Sequence, residues 1–247
     1  MSYANTPDAR SFRLVPRSLP VEAPYRGACP DCPAARMEVF EPLVRGGKGL
    51  CQFPCVAVTA RSTMPARWPE SYAFLLVRRG VLVRQRIDAR GRASAVDAAG
   101  PGCLVAFESR EDRAAASSGY AATDALVCLL PRDAYDGILT RGGDDARDLI
   151  GLHSQSMERL ERLAHARSHQ DAVSAVAAML LTLADTLTPP RPRDRIPVGL
   201  QQRDIAALLG IRHETVCRAL THLETSGAVA RDPDGIRIAD RALLEAS

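Results

Sequence analysis

Residues Leu200 to Gly227, LQQRDIAALLGIRHETVCRALTHLETSG, constrain this chain more than any other stretch. Ile205, Leu208 and Leu209 recur at helical spacing, and Val216, Leu220 and Leu223 do so again. Gly210 stands between the two sets, where a left-handed residue ends one helix and releases the next. Two short helices about a tight turn predict a helix-turn-helix, in which the second helix enters a DNA major groove. Opposite Val216, Leu220 and Leu223 lie Arg212, His213, Glu214, Cys217 and Arg218. Charges there could serve solubility alone. Glu214 and Arg218, however, are four residues apart and both can reach base edges: Arg forks onto guanine O6 and N7, and Glu accepts from cytosine N4. Gln201, Gln202 and Thr215 complete the candidate DNA-facing set.

Ala228 to Arg231, Asp232-Pro233-Asp234-Gly235 and Ile236 to Ile238 read as two short strands around a turn. A helix-turn-helix followed by a hairpin is a winged helix. Arg231 and Arg237 flank the hairpin, either to meet phosphates or simply to solvate it.

The segment resembles the DNA-binding domain of the Crp/Fnr family of bacterial transcription regulators. The matching residues are Asp204-Ile205-Ala206, Leu209-Gly210, Glu214-Thr215-Val216 with Arg218, then Leu220, Leu223, Glu224 and Gly227. The resemblance implies a homodimer on a two-fold symmetric DNA operator, with RNA polymerase as a further partner, and no enzymatic activity. One departure is Gln201, where the family has Thr or Ser as N-cap; Gln caps poorly, which predicts a helix start weaker by up to about 1 kcal/mol.

Overall charge adds little. The formal net charge is +3, and the last 57 residues hold 9 Arg against 8 acidic residues, so the helix pattern and not bulk basicity points to nucleic acid. Lys48 is the sole lysine, a sign of compositional bias. The start, MSYANTPDARSFRLVPRSLP, does not read as a signal peptide. Ala172 to Ala184 is too short to span a bilayer. The predicted location is therefore cytoplasmic, without a membrane partner. There the seven cysteines suit metal or redox roles better than a structural disulfide set.

Taken in order, residues 1–27 carry Pro7, Pro16, Pro20 and Pro24 and read as a mobile arm. Ala34 to Leu43 is a short helix candidate. From Cys55 to Pro131 the runs Val56–Thr59, Ala73–Val77, Val81–Gln85, Leu104–Phe107 and Ala125–Leu130 alternate with Gly-rich punctuation. Short strands at regular spacing predict a β-sandwich or jelly-roll barrel, and their order is similar to the family's effector barrel. Asp144 to Leu187 reads as helix. Its stripe of Ile150, Met157, Leu160, Leu163 and Ala164 fits either packing on the chain's own barrel or, as the family implies, pairing with a second copy. Ala172 to Leu187 is apolar nearly all round and should be buried. The predicted fold is α+β: a sensor jelly-roll barrel of the cyclic-nucleotide-binding type over residues 28–143, dimerisation and linking helices over 144–187, and a winged helix-turn-helix over 188–247.

A barrel joined to a winged helix implies a sensed signal. Family members that bind a cyclic nucleotide hold its phosphate with Gly-Glu and Arg-Ser pairs. Here those positions read Ala106-Phe107-Glu108 and Ala115-Ala116, so the Arg fork is missing. All five histidines (His153, His165, His169, His213, His222) follow the barrel, which removes the obvious haem ligands. The same absence argues against a cupin-like enzyme, which needs a His/Glu metal cluster inside the strands. Cysteines remain. Cys29-Pro-Asp-Cys32 and Cys51-Gln-Phe-Pro-Cys55 each place two thiols near one another, and Cys128 follows Val127 on a late strand. The CxxC and the Val-Cys resemble the ligand pattern of the oxygen-sensing members, which implies a 4Fe-4S iron–sulfur cluster held by four of Cys29, Cys32, Cys51, Cys55 and Cys128. Those relatives keep the third ligand within a few residues of the CxxC, so Cys51 or Cys55 must substitute here. Alternatives stay open: a structural zinc on the two cysteine pairs with Cys128 merely buried, a thiol/disulfide switch, or a small-molecule effector in the barrel. Cys103, in a turn after Gly102, reads as incidental.

Overall fold

The computed structural model describes residues 54–65, 68–107, 116–187, 194–197 and 199–247. The candidate helix Ala34 to Leu43, the arm, and Cys29, Cys32 and Cys51 lie outside the described residues.

In the amino-terminal half, seven strands among the described residues form two sheets. The first is ordered β1 (Cys55–Val58), β7 (Ala125–Pro131), β2 (Tyr72–Arg79), β5 (Leu104–Ala106), and the second β4 (Ala93–Ala99), β3 (Leu82–Ile87), β6 (Ala116–Ala121). All their pairings are antiparallel. A four-residue helix, α1 (Trp68–Ser71), precedes β2. Between the sheets lie Val58, Trp68, Leu75, Val77, Leu82, Val105, Val127 and Leu129. The central strands β2 and β7 are apolar at successive positions because both of their faces are covered. Leu75 and Val77 point into the sandwich, while Phe74 and Leu76 point out beneath helices α2 (Arg132–Arg141) and α3 (Gly143–Ser168).

The outer face of the second sheet is covered as well. Val81, Val83, Ala95, Ala98 and Tyr120 share one continuous core with α4 (Ala172–Leu187) and with the carboxy-terminal unit. That unit contains β8 (Arg195–Pro197), α5 (Gln202–Leu209), α6 (His213–Thr225), β9 (Val229–Asp232), β10 (Gly235–Ile238) and α7 (Arg241–Glu245). Its sheet runs β8-β10-β9, one strand more than the expected hairpin. Ile205, Leu208, Val216, Leu220 and Leu223 are all fully buried, as their spacing predicted. Gly210 is left-handed (φ 74°, ψ 24°) and closes α5 through its N–H to Ala206 O. Among the described residues, no helix is long and apolar enough to cross a membrane.

One expectation is supplemented here and one is corrected. The start of α5 has a support the N-cap residue alone did not suggest. Asp204 at N3 accepts the Gln201 N–H at 2.7 Å, the carboxylate half of a capping box, which meets the N-cap's own N–H rather than the N2 and N3 N–H groups that an N-cap side chain would serve. The stripe on α3 also divides. Leu163 is 1% exposed and packs into the chain's own core, and Leu160 packs partly against it, so Leu163 is not a residue of an outer seam. Ile150 and Met157 are 60% and 61% exposed, and Ala164 is exposed too. The helical period explains the split. Residues at intervals of seven share one face, while Leu160 and Leu163 turn toward the core.

Candidate nucleic-acid interface and thiol pair

Helix α6 presents the predicted row. Arg212, as N-cap, and His213, Glu214 and Arg218 are exposed; Thr215 and Cys217 are half-buried; Val216, Ala219, Leu220 and Leu223 are buried beneath. Among the described residues, the Arg212, Glu214 and Arg218 side chains make no hydrogen bond or ion pair, so their polar ends point to solvent unengaged. Gln201 is exposed at the head of α5 and Gln202 half-buried beside it. Cys217 is less free than an outward small residue would be. Its Sγ donates to Gln202 Oε1 at 2.9 Å and lies 3.5 Å from His213 Nε2, linking the two helices on the side that would face DNA.

Of the two hairpin arginines, Arg231 is engaged. Its Nε donates to Glu224 Oε2 at 2.9 Å, and this hydrogen bond holds the Glu224 carboxyl below its usual range. Arg231 therefore braces the wing against α6. Arg195, unanticipated in sequence, does similar work on β8, bonding Asp232 at 2.6 Å. Its signal in the sequence was only that it is the last of three alternating arginines, Arg191, Arg193 and Arg195, before Ile-Pro.

Cys55 and Cys128 meet. They stand directly opposite one another across β1 and β7, and Cys128 Sγ donates to Cys55 Sγ at 3.5 Å. The neighbouring Leu129 N–H bonds Pro54 O at 2.9 Å, which makes Cys55 and Cys128 the next, non-hydrogen-bonded pair, the type with Cα atoms about 4.5 Å apart. Both belong to the outer face of the first sheet, beneath α2 and α3, with Phe74, Leu130, Ile138, Leu149 and Leu152. Arg78 Nη1 is 3.7 Å from Cys55 Sγ. Cys103 lies apart, its Sγ 3.9 Å from Thr186 O, with burial pushing its thiol up. Among the described residues, no three His, Cys, Asp or Glu side chains converge as a metal site; the cysteines of this chain outside the described residues, Cys29, Cys32 and Cys51, all fall in residues 1–53.

Residues 174–247 match the Crp-like helix-turn-helix domain. The chain is 36% identical over 94 residues to the nitrogen fixation regulation protein FixK of Bradyrhizobium diazoefficiens, a match covering 35% of this chain and 40% of that protein, less than half of its length. The fold extends the likeness beyond the Crp-like domain. FixK2 from Bradyrhizobium japonicum superposes with a TM-score of 0.64 at 21% identity, covering 78% of this chain and 96% of that one. A CRP-family transcriptional regulator from Thermus thermophilus superposes at 0.56 and 21% identity, over 78% and 92%. The chain shares the fold of these two structures, a strand domain and helices followed by the domain that matches the Crp-like model. That domain includes most of α4, which packs against α6 and α7 and is structurally part of it.

Proposed function

We propose that the protein is a homodimeric, sequence-specific DNA-binding transcription regulator, with RNA polymerase as a further partner. The observation that carries this is the unengaged row of Arg212, Glu214 and Arg218 on the second helix of a Crp-like helix-turn-helix domain. Guanidinium and carboxylate groups held four residues apart on a rigid helix match the donor and acceptor code of a major groove. The likeness to FixK, a regulation protein, supports the same reading. Selection of duplexes from a random library by the full-length protein tests it. Recovery of a palindrome with half-sites about one helical turn apart is expected.

In the finer reading, DNA binding is controlled by a thiolate-held centre that responds to oxygen, nitric oxide or redox state. The donor set is soft, and thiolates suit iron–sulfur or zinc above harder ions. Each thiolate of a cubane cluster takes its own iron, so two sulfurs in contact would not both serve as they stand. A 4Fe-4S cluster would then draw Cys29, Cys32, Cys51 and one member of the Cys55–Cys128 pair. Such a cluster would supply a reversible redox and oxygen-labile tie between residues 1–53 and the barrel. The 3.5 Å separation favours a second reading, zinc, since two thiolates on one tetrahedral ion at ~2.3 Å stand about 3.8 Å apart. Iron, zinc and sulfide analysis of protein purified without air separates the two, with DNA binding measured before and after exposure to air.

A further inference from the structure

The barrel holds the DNA-binding unit by a specific set of contacts. Arg61 is the one non-glycine residue among the described residues with a positive φ, 65°. Around it the chain is laced to β6: Arg61 N bonds Ala121 O at 2.6 Å, Ala121 N bonds Ser62 O at 2.9 Å, and Met64 N bonds Gly119 O at 2.7 Å. This places the guanidinium against the carboxy-terminal domain. Its Nη1 donates to Asp204 Oδ1 at 2.8 Å and its Nη2 to Gly199 O at 2.6 Å. Tyr120 OH, from the outer face of β6, donates to the same Oδ1 at 2.6 Å, and the Arg61 guanidinium carbon lies 5.9 Å from the Tyr120 ring centre. The other carboxylate oxygen, Oδ2, caps α5 at Gln201 N.

Asp204 is 2% exposed, and its two oxygens are divided between domains, one for the barrel and one for its own helix. A carboxylate so buried is tolerated when its lone pairs are met by donors. The domains also approach too closely to slide. A Cβ on Gly199 would stand 2.2 Å from Thr123 Cγ2, and one on Gly100 would stand 2.6 Å from Leu187 Cα. Arg167 of α3 adds a third tie, donating to Leu208 O and, at 3.1 Å, to Ala95 O. Helix α5 is packed on α6 through Ile205, Leu208, Val216 and Leu220. Fixing α5 to the barrel therefore fixes the direction of α6 relative to α3.

We propose that Arg61 and Tyr120, acting through Asp204, are positioning residues for DNA recognition: they set the orientation of α6 against the barrel and so the separation of the two recognition helices in a dimer. They touch no base. They determine operator geometry, the half-site spacing the protein accepts, while α6 determines half-site sequence. This rests on the DNA-binding reading above.

The test uses the full-length protein, the selected palindrome, a single half-site, and palindromes with two base pairs inserted or removed at the dyad. Tyr120→Phe and Arg61→Ala should weaken palindrome binding by about tenfold, the scale of one hydrogen bond to a charged group, and leave half-site binding within about twofold. They should also flatten the preference for native spacing. Arg61→Lys, which keeps the charge and loses the fork, should fall between. Equal losses on palindrome and half-site, or no change in spacing preference, would overturn the proposal. Tyr120→Phe deletes a single hydroxyl and keeps the test available should Arg61→Ala fail to fold. Amide hydrogen exchange over residues 194–205 without DNA provides an independent arm: it should quicken in both variants, and unchanged exchange overturns the latch. A wild-type protein that selects no palindrome defeats the DNA-binding reading instead, and the exchange arm then decides the latch alone.

Discussion

Asp97 and Arg159 form a two-pronged ion pair between β4 and α3, Nε to Oδ1 and Nη2 to Oδ2, each at 2.9 Å. The side chains are 2% and 9% exposed, and Arg84 Nε approaches Asp97 Oδ2 at 3.9 Å. The helix that carries the candidate seam is thereby pinned to the barrel by charge as well as by apolar packing. Removing one member strands the other. Asp97→Ala should lower the unfolding free energy by about 3–5 kcal/mol, read from urea denaturation, and Asp97→Leu combined with Arg159→Met should recover part of that loss. A single-variant cost below about 1 kcal/mol would mean that water replaces the lost partner.

His153 sits edge-on to Phe74, with ring centres 4.8 Å apart, and burial lowers its pKa from the ordinary 6.5. A lowered folded-state value means that the unfolded chain binds the extra proton more readily. The stability contribution is complete above pH 6.5 and is lost as pH falls from there through the folded value. The slope should stay below about 1.4 kcal/mol per pH unit, since one proton is involved and the ring is only partly buried. Comparing the thermal midpoints of wild type and His153→Gln between pH 7.5 and 5.5 isolates this histidine from the other four. The variant should lose less stability over that range.

Arg218→Ala should cost about 1–3 kcal/mol on the selected operator and much less on random DNA, measured by titration at fixed salt. Equal losses on both would demote Arg218 to a phosphate contact. Arg231→Ala should act differently. Its guanidinium holds Glu224 within the domain, so the larger effect is expected on wing rigidity rather than on base preference.

The division of the α3 stripe separates assembly from folding. Met157→Asp places a charge on an exposed, apolar position and should shift the protein toward monomer in sedimentation while leaving the unfolding transition nearly unchanged. Leu163→Asp puts the same charge in the core and should destabilise the fold itself by several kcal/mol, on the order of 3–5. A Met157→Asp protein that stays dimeric and binds its operator as wild type would move the seam elsewhere.

For the thiol pair, Cys128→Ala and Cys103→Ala purified without air should differ sharply. With zinc on both thiols of the pair, or with Cys128 as the pair's cluster ligand, the first is expected to lose bound metal and regulated DNA binding; the second should keep both, because Cys103 lies away from the pair near the end of α4. Equal metal content in the two would remove Cys128 from the ligand set.

Legibility from the sequence varied with the kind of residue. Strands β2 and β7 announced themselves through Val, Leu and Phe. Strands β4 (ASAVDAA) and β6 (ASSGYA) did not, because Ala, Ser and Gly carry little strand preference of their own. They become strands by pairing on either side of β3, a long-range event that no local pattern records. Helix α2 went unread for a similar reason, its one buried residue being Ile138.

The sequence by itself determined the helix-turn-helix: the apolar spacing, Gly210 and the polar row on α6 are all local, and a short helix carries its own register. It also showed which cysteines to watch. Only the tertiary structure decided that Cys55 and Cys128 face one another, since that depends on strand register across 73 residues of chain. Tertiary structure likewise decided that Leu163 turns inward and that Asp204, which reads as an ordinary first-turn acid, is the anchor shared with Arg61 and Tyr120. Helix periodicity says which residues share a face. Which face meets the core is set by everything that packs around it.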